Sequence, residues 1–219
     1  MTLSTLPLTR RFASAFAQLL LVAILRGIKP SEAEAIGQSL YATGFRLIEV
    51  PLNSPEPFAS IAALRHALPA DALVGAGTVT SLGQVRQLRE CGGELAVMPH
   101  ADVTVIGAAK SAGLICIPGV ATPSEAFAAL AAGADALKIF PAELVTPTVL
   151  KAMRVVLPSG THLLPVGGVT PFNMTPYLDA GAAGFGLGSA LYKPGMSTAE
   201  VGELARSFVS EWRKLRPLA

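Results

Sequence analysis

The chain has 219 residues, of which 51% are hydrophobic and only 15% charged, so it can bury a sizeable core in one large domain. A formal net charge of +2, with scattered basic residues and no basic stripe interleaved with aromatics, argues against a nucleic-acid partner. Cys91 and Cys116 are isolated and lack metal or disulfide spacing, which fits a reducing compartment and a cytoplasmic protein.

At the N-terminus, Thr9-Arg10-Arg11-Phe12 precedes an apolar run over residues 19–25, the outline of an export signal. That run is too short to span a bilayer. Gln18 interrupts it upstream, Arg26-Gly27 ends it, and no small-residue cleavage site follows. It reads as an N-terminal helix feeding a first strand, and no membrane partner is expected.

From there a short strand-like run alternates with a helical stretch eight times. The runs cover residues 20–25, 46–52, 72–76, 94–99, 114–118, 134–140, 162–166 and 183–187. Helix starts are marked at Pro30-Ser31-Glu32, Thr122-Pro123-Ser124-Glu125 and Thr170-Pro171-Phe172-Asn173, which combine Pro with a cap-type residue and often an acid. Helix stops are marked at Gly44, Gly92-Gly93, Gly113, Gly133 and Gly181. A last helix over 199–216 carries Val201, Leu204, Phe208, Trp212 and Leu215 at helical spacing, a packing stripe. Eight near-equal units predict an α/β fold: a (β/α)8 TIM barrel with an extra N-terminal helix, forming a single domain over residues 1–219. The alternative, an open doubly wound sheet, lacks its first-unit dinucleotide fingerprint.

Two charges sit where charges are costly. Lys138 interrupts Ala136-Leu137-Lys138-Ile139-Phe140-Pro141, and Glu49 interrupts Leu47-Ile48-Glu49-Val50-Pro51. A buried ammonium lowers its pKa or acquires a partner, and a partly deprotonated lysine attacks carbonyl carbon. On these residues alone, Schiff-base chemistry and a structural ion pair between strands are equally good readings.

In a barrel, reactive residues gather at the C-terminal strand ends. Alternation along the strands lets Arg26, Glu49, Thr78 and Lys138 converge on one pocket. His100 falls at the same rim. Gly167-Gly168 and Gly188-Ser189 follow strands seven and eight, where bare backbone amides and a following helix N-terminus favour a phosphate. The other histidines, His66 and His162, read as a helix-surface and a strand-start residue. No carboxylate–histidine cluster has metal spacing, so neither metal nor cofactor is expected.

Together, Ala23-Ile24-Leu25-Arg26-Gly27, Ile48-Glu49-Val50-Pro51-Leu52-Asn53-Ser54, Gly75-Ala76-Gly77-Thr78-Val79, Ala136-Leu137-Lys138-Ile139-Phe140-Pro141, Val166-Gly167-Gly168-Val169 and Gly186-Leu187-Gly188-Ser189 carry a resemblance. The chain resembles, from end to end, the class I 2-keto-3-deoxy-6-phosphogluconate / 6-phosphogalactonate aldolases. The resemblance implies Lys138 as Schiff-base lysine and Glu49 as acid–base residue. It implies substrate contacts from Arg26, Asn53, Thr78, Pro99, Phe140 and Val166, and a phosphate site at Gly167, Gly168, Gly188 and Ser189. It also implies a homotrimer acting on a phosphorylated 2-keto-3-deoxy sugar acid. Asn53-Ser54 stands where the phosphogluconate branch has Arg-Thr, and Val166 where it has Thr. Both departures, with Arg26, look like the phosphogalactonate branch, whose reaction yields pyruvate and D-glyceraldehyde 3-phosphate. Cleavage of the gluco epimer is the first alternative. A phosphosugar isomerase or epimerase on the same barrel, and a non-catalytic sugar-phosphate binder, are more distant ones.

Overall fold

The computed structural model describes residues 6–216. Helix α1 (Leu8–Gln18) comes first. Then follow β1 (Leu21–Ile24), α2 (Pro30–Thr43), β2 (Leu47–Pro51), α3 (Pro57–Ala67), β3 (Leu73–Gly77), α4 (Leu82–Glu90), β4 (Leu95–Val97), α5 (Val103–Ser111) and β5 (Ile115–Ile117). The second half runs β6 (Gly119–Val120), α6 (Pro123–Ala131), β7 (Leu137–Ile139), α7 (Pro147–Val156), β8 (Leu163–Pro165), α8 (Met174–Asp179), β9 (Phe185–Leu187) and α9 (Thr198–Leu215).

All strand pairs are parallel, and every strand residue is buried. That is why the runs read as continuously apolar rather than alternating: helices cover one face and the barrel interior fills the other. The order β5-β4-β3-β2-β1-β9 forms one arc and β6-β7-β8 a second. A bridge between Val166 and Gly186 joins the arcs on one side. On the other side the chain itself passes from β5 to β6 through Pro118. This is the predicted (β/α)8 arrangement, and the closure rules out the open sheet.

The structure departs from the sequence reading at strand five. The single run over 114–118 breaks at Pro118 into β5 and β6, because a proline has no N–H to give to the ladder. Its carbonyl still serves, taking the Lys138 N–H at 2.9 Å. The stretch after β8 also differs. Thr170-Pro171 opens only a 3-10 turn, Pro171–Asn173, before the short α8.

Helix caps behave as their residues dictate. Thr122 Oγ1 accepts the Glu125 N–H at 3.3 Å, while Glu125 Oε2 takes the Thr122 N–H at 2.9 Å, a reciprocal capping box. Gly44 ends α2 at φ +115°, a conformation that disfavours any residue with a Cβ.

Helix α1 closes the N-terminal end of the barrel. Phe12 and Ala15 are buried, and Arg11 reaches from the helix to Glu94, just before β4, at 2.5 Å. Arg65 of α3 bonds the same carboxylate at 3.2 Å and also reaches the Ala72 carbonyl. The arginine pair that mimicked an export motif therefore contributes Arg11 to a structural network. Among the described residues no helix is long and apolar enough to cross a membrane. One acid holds two largely buried guanidinium groups, so removing it leaves both uncompensated. Glu94→Ala is expected to lower stability by about 2–3 kcal/mol, somewhat less than for a fully buried pair. Urea unfolding checks this, and a change below about 0.5 kcal/mol, the range of an ordinary surface substitution, would contradict it.

Candidate active site

Around the closed ring, β2 and β7 lie four strands apart, through β1, β9 and β8. In a ring of eight units that is the opposite wall, so inward side chains at matching heights meet across the interior. Glu49 of β2 pairs in register with Ile24 and Gly75. Lys138 of β7 pairs with Gly119 and Leu164. Glu49 is 1% and Lys138 6% exposed. They line one small cavity with Val22, Ile24, Val97, Ile117, Leu164, Val166 and Gly186.

The electrostatics of this cavity follow from its apolar walls. Burial, acting against Lys138 and then Arg26, pushes the Glu49 carboxyl up to about 7 from its ordinary 4.5. Burial likewise pulls the Lys138 amine below its ordinary 10.5; Glu49 opposes this and Arg26 reinforces it. Glu49 Oε2 is buried without a hydrogen-bond partner, and no ion pair as short as 4 Å ties it to Lys138. The ammonium instead lies 4.5 Å from the centre of the Phe140 ring. The two groups are thus coupled through space and left free to react, unlike a tight structural ion pair.

The room for Glu49 comes from β3. A Cβ added to Gly77 would overlap the Glu49 carboxylate, whose atoms are its three nearest neighbours. Gly77 was not singled out in the sequence. Its signal was the pair of glycines two residues apart at the end of an otherwise aliphatic strand. Next to it, Thr78 is half-buried with φ +58°, an uncommon backbone for a β-branched residue and one that structures retain mainly at functional sites.

At the rim, Arg26 and Asn53 are exposed and bonded to each other, Nη1 donating to Oδ1 at 2.6 Å. Ser54, which the sequence offered only as half of the Asn53-Ser54 departure, is buried and takes the Gly27 N–H at 2.9 Å. Pro99 follows β4 and is half-buried, with His100 exposed beyond it. The exposed Phe140 stands at the C-terminal end of β7.

Gly167 and Gly168 adopt φ +119° and +60°. Among the described residues the backbone N–H groups of Gly168 and Ser189 meet no protein acceptor. The Gly188 carbonyl takes the N–H of Leu191 and of Tyr192 at 2.8 and 3.0 Å, curling the chain behind Ser189. The helix dipole expected behind these turns is largely missing: only the 3-10 turn and six-residue α8 follow Gly168, and α9 starts well beyond Ser189. Bare amides are therefore what these turns offer an anion.

Among the described residues no three His, Cys, Asp or Glu side chains cluster so as to hold a metal ion. A larger groove lies between α1 and α9 at the opposite barrel end, lined by Phe12, Phe16, His162 and Trp212. Neither Lys138 nor Glu49 lines it.

A family model described as "Aldolase: KDPG and KHG aldolase" matches residues 13–206. The chain belongs to the KDPG and KHG aldolase family. It is a carbon–carbon lyase. Its sequence is similar to the "Probable 2-dehydro-3-deoxy-6-phosphogalactonate aldolase" of Rhizobium meliloti (strain 1021), with 49% identity over 84% of this chain and 87% of the relative. It is 46% identical to the "2-dehydro-3-deoxy-6-phosphogalactonate aldolase" of Escherichia coli (strain K12), over 89% of this chain and 95% of that protein. The solved "Native KDPGal structure" superposes at a TM-score of 0.89 with 46% identity, covering 90% of this aldolase and 96% of that chain.

The raised Glu49 carboxyl has a consequence for the aldolase's stability. A carboxyl whose folded value lies above its unfolded one binds a proton more readily in the folded state, so it costs nothing below pH 4.5 and its full penalty is present above pH 7. Glu49→Gln is therefore expected to be more stable than wild type at pH 8, by an amount on the order of 3 kcal/mol, with the gap closing towards pH 5. Denaturant unfolding at the two pH values checks this. A gap that stays constant, or widens on acidification, would contradict it.

Proposed function

We propose that this aldolase cleaves 2-dehydro-3-deoxy-6-phosphogalactonate to pyruvate and D-glyceraldehyde 3-phosphate through a Schiff base on Lys138. The observation that carries this reading is a buried amine with a depressed pKa, unpaired, across a small apolar cavity from a buried carboxyl poised near pH 7.

The amine of Lys138 adds to the C2 carbonyl carbon, and the carbinolamine loses water to give an iminium. Glu49 in its protonated form supplies the proton that carries the hydroxyl away. The resulting carboxylate takes the proton of the C4 hydroxyl as the C3–C4 bond breaks. The electron pair of that bond moves into the iminium and forms an enamine, while C4 leaves as the aldehyde of D-glyceraldehyde 3-phosphate. Protonation at C3 and hydrolysis release pyruvate and restore the amine. A group near pH 7 serves both proton transfers, since catalysis is best when the pKa matches the working pH. No metal or cofactor enters any step.

Arg26, bonded to Asn53 at the rim, is assigned to the substrate carboxylate together with Thr78, while Pro99 and Phe140 frame the entrance. The amides of Gly167, Gly168 and Ser189, with the Gly188 turn, take the phosphate, whose binding energy fixes the reacting carbon in place. The working particle is read as a cytoplasmic homotrimer of single-domain chains. The family resemblance implies the trimer, and exposed apolar side chains such as Phe172 and Leu144, 96% and 73% exposed, supply surface that assembly would cover.

The epimer assignment rests on the names of the relatives and on Val166. This residue lines the cavity with Lys138 and Glu49 and offers no hydrogen bond to a C4 hydroxyl, where a threonine would. Sites that hydrogen-bond a hydroxyl discriminate far more strongly than apolar walls do. Pyruvate release from the two 6-phosphate epimers is the test. Wild type is expected to favour the galacto substrate in kcat/KM, and Val166→Thr to shift the ratio towards gluco by about tenfold, the order of one neutral hydrogen bond. A wild-type preference for the gluco epimer, or an unchanged ratio in the variant, would contradict the assignment.

A further inference from the structure

The turns after β1 and β2 are fastened by two side chains from one dipeptide. Asn53 Oδ1 accepts a hydrogen bond from Arg26 Nη1 at 2.6 Å, and Ser54 Oγ accepts one from the Gly27 N–H at 2.9 Å. Strand pairing does not need either contact, because β1 and β2 are already in register through Val22–Leu47, Ala23–Ile48 and Ile24–Glu49. The Ser54 bond fixes the path of the backbone at Gly27. The Asn53 bond fixes the guanidinium, which is otherwise an exposed head on a flexible stem. Arg26 makes no other side-chain hydrogen bond and no ion pair among the described residues.

We propose that Asn53 is a positioning residue: it holds the Arg26 guanidinium at the mouth of the Glu49–Lys138 cavity, where Arg26 receives the substrate carboxylate and sets a fixed positive charge beside the Lys138 amine. This deepens the functional reading above and rests on it. The partner's neutrality is the essential point. A charge-assisted hydrogen bond donated to a neutral amide oxygen orients a guanidinium strongly without cancelling its charge, whereas an aspartate in the same place would orient and neutralise it. Both buried groups feel this charge, which helps to keep Glu49 ionised and Lys138 unprotonated. The charged groups facing Lys138 are Glu49 from β2 and Arg26 from the β1 turn. The remaining walls present Val97, Ile117, Leu164, Val166 and Gly186.

The test compares wild type with Asn53→Ala and Asn53→Asp, after thermal melts confirm folding, with Ser54→Ala as a control for turn anchoring. Two quantities are read: KM for the keto acid, and the pH dependence of iminium trapping by pyruvate with borohydride. In both Asn53 variants KM is expected to rise about tenfold, the order of one charge-assisted contact, and the acid limb of trapping to move to higher pH. Asn53→Asp is the decisive variant, because it keeps an acceptor at the same place and would rescue a role that was only structural. An Asp variant with wild-type KM and pH limb overturns the proposal, as does an Ala variant that loses only thermal stability. Wild type that cannot be trapped at all removes the Schiff-base reading and this inference with it. Normal wild-type trapping with unshifted variants removes the inference alone.

Discussion

One amine and one carboxyl, held apart on opposite walls of an apolar barrel, set the terms for everything else in this site. Placed in contact, Lys138 and Glu49 would neutralise each other as an ion pair, and neither would react. Exposed to water, each would return to its ordinary pKa, and the amine would stay protonated at neutral pH. The barrel avoids both outcomes through geometry. Strands β2 and β7 are four positions apart in a closed ring, so the groups share a cavity yet stand on separate walls. The cost of this arrangement falls on stability, as it does wherever ionisable groups are buried for reactivity rather than for folding.

The rest of the mouth is built by leaving atoms out. Gly77 lacks the Cβ that would displace the Glu49 carboxylate. At the late strands, Gly167 and Gly168 turn the chain at positive φ, and among the described residues the Gly168 amide meets no protein acceptor. Gly167 sits at φ +119°, a conformation that disfavours any residue with a Cβ. The two ends of the molecule divide the work. Salt bridges from Arg11 and Arg65 to Glu94 secure the N-terminal end, which carries no reactive group, and the C-terminal end remains open and sparsely bonded.

Much of this was legible in the sequence because burial overrides propensity in a parallel barrel. Leu21–Ile24 is apolar throughout and Leu47–Pro51 at every position except the charged one, so Glu49 and Lys138 announced themselves as exceptions. What was not legible depends on contacts between distant segments. The break at Pro118 was hidden inside an apolar run, since local composition says nothing about which ladder a strand must leave. The loss of a helix behind Ser189 was invisible because glycine and serine fit a turn and a helix start equally well. The bond from Arg26 to Asn53, a residue 27 positions later, is visible in neither residue's local sequence. Gly77 matters only because β2 and β3 are neighbours, and pairing is a property of the fold.

The central claim is that Lys138 is the nucleophile and that its burial, not its sequence context, makes it one. Incubation with pyruvate and borohydride followed by peptide mass spectrometry tests this most directly. The account predicts a single reduced adduct on Lys138, forming at neutral pH and abolished in Lys138→Ala. An adduct on Lys110 or Lys151, or turnover that persists in Lys138→Ala, would contradict it.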